Sequence, residues 1–321
     1  MSIKDPSKTQ RFSAVVPLAS GDLSLERLRD LVDCLFHFEP EIAELVIVDD
    51  QVPPRGFNDL AIPPSCRLGV LPNPRRGRGN GWLGGTAAAS IAAFSWLQQN
   101  SQCDFAVKID SDTLVIAPFA SKIAAGFAAQ PDAFLLGSST KTPNRVYDRP
   151  EDFSVAPGLR KLQRSLTIWR RTAKGPWPRL QCGFFGADRK RKFLIDRAVA
   201  NGYRLGAHCQ GGAYAISRRG LNELAAIGAL SDPLLWLWTP CACDTVITLS
   251  VFACGGRAGD LNEDQQPFGV IARGLPDTPE RLVERGFSLI HSVKDFQGVK
   301  EQDTREFFRQ KRRLSAKIEA P

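Results

Sequence analysis

Short apolar runs alternate with longer stretches in which apolar residues recur every three or four positions. That alternation organises the first 140 residues. Phe12 to Leu18 (FSAVVPL) is an apolar run closed by Pro17, Ser20 and Gly21, and it predicts a buried strand. Leu25, Leu28, Leu31, Val32, Leu35 and Phe36 then form one stripe, which predicts an amphipathic helix capped by Ser24 and stopped by Pro40. Glu44 to Val48 predicts a second strand, ending in Asp49-Asp50 and followed by a Pro-rich loop over 51–65. Arg67 to Leu71 predicts a third strand, and an Ala-rich helix follows from about Leu83 to Gln99. Asp104 to Ile109 predicts a fourth strand, ending in Asp110-Ser111-Asp112. Pro118 opens a helix to about Ala128, and Ala133 to Gly137 reads as a further strand. Short strands that are apolar on both faces and separated by helices predict an α/β fold with a mostly parallel central sheet flanked by helices.

Beyond residue 139 the pattern loosens. Residues 139–185 are rich in Pro, Arg, Gly and Trp and read as a long irregular substrate region. A helix (Arg189 to Asn201), a glycine turn with a strand (Gln210 to Ile216) and a helix from Ser217 follow. Next come a helix from Asp244 to Cys254 closed by Gly255-Gly256, and a last strand, Phe287 to Ile290, ending at His291. Thr304 to Ile318 is a basic helix whose Phe307, Phe308 and Leu314 dock on the body in preference to a membrane surface.

Composition narrows the functional classes. Of 321 residues, 43% are hydrophobic and 24% charged, which excludes a mainly disordered chain. No run approaches the roughly 18 apolar residues of a membrane span, and Met1 to Pro6 is polar, unlike a signal peptide. The expected location is cytoplasmic, with peripheral membrane contact through the C-terminal helix as the alternative. The net charge of +8 is concentrated at Arg75-Arg76-Gly77-Arg78, Arg160 to Lys174, Arg189 to Lys192 and Lys311-Arg312-Arg313. Without aromatic interleaving of the RNA-recognition kind or zinc-finger spacing, these runs argue against nucleic acid as partner. They leave solvated faces or a site for a phosphorylated small molecule. Trp169 and Trp177, in and beside the second run, suit a carbohydrate or acceptor cleft. The eight cysteines are scattered and read as buried free thiols; Cys241-x-Cys243 with Cys254 and Cys209 fits no closed zinc pattern.

Asp110-Ser111-Asp112 carries the chemistry. In an extended segment the two carboxylates, two residues apart, face one point while Ser111 faces away. The strand before them places that point at the carboxyl edge of the sheet, where open α/β folds bind ligands. Two converging oxygens suit Mg²⁺ or Mn²⁺, with a diphosphate and water completing the coordination. His291, at another strand end, is a candidate nitrogen ligand or diphosphate contact. Asp49 and Asp50 are placed to accept from a ribose hydroxyl or a base N–H. Asp244 is either a helix cap or a base for an acceptor hydroxyl. Gly79-Asn80-Gly81-Trp82-Leu83-Gly84 matches G-x-G-x-x-G, but a seven-residue loop precedes it and Trp82 is too bulky for a dinucleotide turn. The glycines instead let a helix start approach a nucleotide, with Arg78 and Asn80 as polar contacts.

The ordered set VVPLAS (15–20), VIVDD (46–50), RGNGWLGGTAAASIAAFSWL (78–97) and FAVKIDSDTLV (105–115) resembles the GT-A nucleotide-sugar glycosyltransferases of the family 2 type. CQGGAYAISRRGLNEL (209–224), CDTVITLSVFACG (243–255) and SLIHS (288–292) are similar to segments of the fringe-like β-1,3-glycosyltransferases. The resemblance implies one large domain: a tail over 1–11, a nucleotide-sugar-binding half over 12–138, an acceptor-binding half over 139–300 and the basic helix over 301–321. It implies Asp110, Asp112 and His291 on a metal (Mn²⁺ or Mg²⁺), with Pro17, Asp49, Asp50, Arg78, Asn80 and Asp110 on the nucleotide. Gly211 and Gly212 would let the backbone approach the sugar, and Trp177 would meet the acceptor. Asp244 would be the base of an inverting transfer from a nucleotide-sugar donor to a glycan or other hydroxyl acceptor. Cys243 stands where such enzymes often carry an acidic residue, which makes Asp260 the fallback base. The alternatives are a metal-dependent nucleotidyltransferase, which needs no acceptor-side base, and a non-catalytic relative that binds a nucleotide sugar or glycan.

Overall fold

The computed structural model describes residues 11–77, 85–139, 186–236 and 241–319. The expectations for the N-terminal tail, Arg78, Asn80, the G-x-G-x-x-G stretch, Trp169, Trp177 and the irregular region over 140–185 lie outside the described residues.

Seven strands form one sheet in the order β3-β2-β1-β4-β7-β6-β8. They are β1 (Phe12–Leu18), β2 (Glu44–Asp49), β3 (Arg67–Pro72), β4 (Phe105–Ile109), β6 (Ala133–Gly137), β7 (Ala213–Ser217) and β8 (Arg257–Asp260). β7 pairs antiparallel with both of its neighbours, β4 and β6, while all other pairings are parallel, so six strands point one way. A smaller sheet joins β5 (Leu114–Val115), β10 (Leu289–His291) and β9 (Phe268–Val270) in the order β5-β10-β9.

Alternation along β1 builds a core on each face. Phe12, Ala14, Val16 and Leu18 face one cluster, with Leu28, Leu31 and Leu35 of α1 (Asp22–Phe38) and the small sheet. Val15 faces the other, with α2 (Gly85–Asn100), α4 (Gly186–Ala200), α5 (Arg218–Ala226) and α6 (Cys243–Ala253). α3 (Ala120–Ala129), α7 (Pro279–Glu284) and α8 (Glu301–Glu319) bring the described helices to eight. The described cysteines are free, and all but Cys254 are buried.

Local chemistry moves some boundaries from those the pattern predicts. α1 begins at Asp22 with Gly21 in the cap position, so Ser24 lies inside the helix. The first backbone donor of α3, and that of Phe119 before it, reach the Glu39 carboxylate beyond the end of α1. That side chain does the work of a cap from another element. β5, β8, β9 and α7 have no counterpart among the predicted elements; each is six residues or fewer.

α8 docks on the body through Phe307 and Phe308, whereas Leu314, also expected to dock, is exposed to solvent. Phe308 is buried and Phe307 packs against the same core cluster. Asp30 of α1, itself buried, receives Arg305 at 2.7 Å, Arg309 at 3.1 Å and Arg312 at 3.2 Å. Glu301 bridges Arg27 and Arg305 at the other end of the contact. Much of the basic C-terminal charge is therefore used within the fold. No helix among the described residues is long and apolar enough to cross a membrane.

Removing one partner from a buried ionic cluster strands the others. Asp30→Ala leaves three guanidinium groups without their carboxylate, and the expected cost is about 3 kcal/mol. Urea unfolding followed by circular dichroism measures it; a midpoint equal to wild type would show that α8 is held without the Asp30 cluster, by Phe307 and Phe308 packing and the Glu301–Arg27 contact.

Candidate metal centre and cleft

The reversed direction of β7 creates the site. Because β7 runs against β4, Ala213 at its start lies opposite Ile109 at the end of β4. Gly211-Gly212 and Asp110 thus meet at one rim of the sheet. The Gly212 carbonyl accepts from the Asp110 N–H at 2.8 Å and from Thr113 Oγ1 at 3.0 Å. β10 arrives from the small sheet, and the Val293 N–H donates to the Asp112 carbonyl at 2.8 Å. Three segments distant in sequence are stitched together by main-chain bonds.

Asp110, Asp112 and His291 converge here, with one potential ligand atom from each lying within 4.8 Å of the others. The route to convergence differs from the extended-strand expectation. Asp110–Thr113 is a turn closed by the Thr113 N–H on the Asp110 carbonyl at 2.9 Å. The main chain reverses there because β5 must pair antiparallel with β10 immediately afterwards.

Asp112 is 5% exposed. Ser292 Oγ donates to its Oδ2 at 2.9 Å, Lys294 Nζ lies at 2.7 Å and His291 Nε2 at 3.3 Å. Burial disfavours its charge, but the His291 and Lys294 contacts outweigh burial and hold the carboxyl far below the usual carboxylate range. His291 Nδ1 is 3.3 Å from the Ile271 carbonyl. A proton on Nδ1 satisfies that carbonyl and leaves Nε2 as the ring atom turned to Asp112. A carboxylate oxygen and an imidazole lone pair at this distance repel unless a cation, proton or metal, is shared between them. The donor set of two carboxylates and one imidazole could hold a divalent cation.

Gly212 explains how His291 gets there. A Cβ on Gly212 would lie 2.1 Å from His291 Cγ, so only glycine leaves the ring its place. A Cβ on Gly211 would come within 3.3 Å of Asp244 Oδ2. Both glycines are thus fitted to site side chains.

A cleft of about 300 Å³ opens beside the centre, lined by Pro17, Asp110, Gly211, Gly212, Asp244 and His291 among the residues singled out in the sequence. Asp244 is the second residue of α6, not its cap; Ala242 holds the cap position, and Asp244 Oδ1 accepts from the Thr245 N–H at 2.8 Å. His208 also lines the cleft, with Nε2 3.9 Å from Asp244 Oδ2. Cys243 lines it too, its thiol pushed up to about 12 by burial.

Other candidates are placed elsewhere. Asp49 is fully buried two strands from β4, with both oxygens held by Arg55 at 2.6 and 3.0 Å. Burial opposes its charge, yet Arg55 and the backbone N–H groups of Arg55 and Gln51 prevail and lower its pKa. Asp50, also buried, is 3.3 Å from Arg75 Nε and accepts from the Gly77 N–H. Asp260 lies three strands from β4 across the sheet, where it accepts from the Ser139 N–H and hydroxyl at 3.2 Å.

Lys108 is the site residue that periodicity hides. It occupies the fourth position of an otherwise apolar strand and is 1% exposed. Its ammonium donates to Asp110 Oδ1 at 2.6 Å and to the Gly211 carbonyl, and it lies over the Tyr214 ring. Burial works against the charge, but Asp110 overrides it and raises the pKa. The one signal in the sequence is its place two residues before Asp110, on the same side of an extended chain.

The chain matches no protein-family model and no curated protein, so its reading rests on this geometry.

Gly212→Ala should push the His291 ring aside and weaken Mn²⁺ binding about ten- to a hundredfold, as loss of a ligand's support does. Electron paramagnetic resonance of free Mn²⁺ measures it, and an unchanged affinity would remove His291 from the centre. The Asp49–Arg55 pair has a different signature. A lowered carboxylate pKa stabilises the fold above the unfolded value of about 4, and the gain is lost as pH falls through the folded value. Asp49→Asn should therefore lose less stability than wild type between about pH 7 and pH 3 in urea melts. Parallel losses would mean that the pair contributes nothing at neutral pH.

Proposed function

We propose that the chain is a GT-A-like glycosyltransferase that moves a sugar from a nucleoside-diphosphate sugar to an acceptor hydroxyl with a bound divalent cation. The observation that carries this reading is one cleft lined by Asp110 and His291 of the Asp-Asp-His cluster together with a further carboxylate, Asp244. The cleft lies at the carboxyl ends of parallel strands, where such folds bind ligands.

Each residue then has a task. Asp110, Asp112 and His291 hold the cation, whose chemistry when bound is to offset charge on a departing diphosphate. Lys108 fixes the direction of Asp110 and, through the Gly211 carbonyl, ties it to the glycine pair. Asp244 accepts the proton of the acceptor hydroxyl, and attack on the anomeric carbon from that side gives inversion. The nearby His208 imidazole takes part in positioning the hydroxyl. Asp244 serves as base ahead of Asp260, whose oxygens are engaged by Ser139 away from the cleft lining.

A panel of nucleotide sugars, with Mn²⁺ and with EDTA, tests the assignment through release of nucleoside diphosphate. Release should require the metal and vanish in Asp112→Ala. Asp244→Asn should keep donor binding while transfer falls about 10²- to 10⁴-fold, the usual contribution of a general base. Pyrophosphate release from a nucleoside triphosphate, indifferent to Asp244→Asn, would identify a nucleotidyltransferase instead. Donor binding with neither transfer nor hydrolysis across the panel would identify a binding protein.

A further inference from the structure

The two carboxylates of the centre are already matched by two lysines of opposite character. Lys108 is buried in β4, bonded to Asp110 and the Gly211 carbonyl, and has nowhere to go. Lys294 reaches Asp112 Oδ2 at 2.7 Å from the loop after β10, and its side chain is 52% exposed. Its four-carbon stem lets the ammonium leave for solvent without moving the backbone. The backbone of that loop stays fixed by the Val293 N–H on the Asp112 carbonyl and the Ser292 N–H on the Gly274 carbonyl.

Counting formal charges, Asp110 and Asp112 balance Lys108 and Lys294. A divalent cation added to these four groups leaves an excess of two positive charges, of which Asp244 across the cleft offsets one. Two ammonium groups within a few ångströms of such an ion oppose it by interactions that screening only partly removes. Two changes relieve the excess: Lys294 withdraws from Asp112, and an anion of two or more charges enters beside the ion.

We infer that Lys294 is the resident counter-ion of Asp112, exchanged for the metal, and that this exchange makes cation binding and diphosphate binding interdependent. The inference rests on the metal reading of the Asp110, Asp112 and His291 cluster and deepens it. Lys294 weakens the cation when it binds alone. With a diphosphate present, the released ammonium faces an anion and the opposition disappears. By linkage, the cation raises diphosphate affinity by the same factor that diphosphate raises cation affinity.

The test is Mn²⁺ titration of the full chain followed by electron paramagnetic resonance, with and without inorganic pyrophosphate. A protein-free titration corrects for chelation by pyrophosphate itself. Wild type should bind Mn²⁺ weakly alone and at least about tenfold more tightly with pyrophosphate. Lys294→Gln should bind Mn²⁺ alone about tenfold more tightly than wild type, with a smaller gain from pyrophosphate, as removal of one nearby charge requires. Lys294→Arg keeps the charge and should behave as wild type, and circular dichroism checks that both variants are folded. If Lys294→Gln leaves Mn²⁺ affinity unchanged or weaker while Asp112→Ala abolishes binding, the exchange is wrong and the metal centre stands. If no variant and no condition binds Mn²⁺, the metal reading falls and the inference falls with it.

Discussion

The Asp112 carboxylate is charged and buried, and a buried charge is tolerated only where partners surround it. Its partners are His291, Ser292 and Lys294, all from one short segment at the end of β10. That segment reaches Asp112 because β10 pairs with β5, the two-residue strand immediately after the Asp110–Thr113 turn. The small sheet, whose residues are also part of the core, is therefore what assembles the centre. Without it His291 would stay remote from the turn, and Asp112 would be a carboxylate without a counter-charge.

The second constraint is the reversed strand. Had β7 run parallel to β4, its start would lie at the opposite rim, and the glycine pair would be a strand length from Asp110. Reversal brings Gly212 to the turn, where its carbonyl takes two donors and its missing side chain admits the imidazole. One residue thus serves through its oxygen and through its lack of a Cβ. Asp244 gains its place from the same local order, because it packs against Gly211 and faces the same cleft.

The main strands and helices were legible because their apolar residues keep the periods of 2 and 3.6 over enough positions. β5, β8 and β9, at two, four and three residues, are too short to carry a period. Their pairing is set by tertiary contact, and so is the position of His291. The carboxylate pair was legible from its place after an apolar strand, although a turn and not an extended chain brings the two groups together. Lys108 was not, since a single charge inside FAVKI resembles an error in the pattern until its partners two residues on and across the sheet are seen. Asp49 and Asp50 looked open because strand-end acids usually are. Arg55, from the loop after β2, and Arg75, from the loop after β3, pair with them inside the fold.

The resulting site has an asymmetry with chemical meaning. On the Asp110 side the counter-ion is locked into the sheet, so that carboxylate keeps its direction whatever binds. On the Asp112 side the counter-ion is half in solvent on a flexible stem, so the local charge can change with the ligand. A centre whose two carboxylates already hold two ammonium groups has little tendency to collect free divalent ions. It becomes complementary to a pair of opposite charges arriving together, and such a pair is what a cation on a nucleoside-diphosphate sugar presents. Under the proposed function, selectivity for the complete donor follows from charge balance before any contact to sugar or base is made.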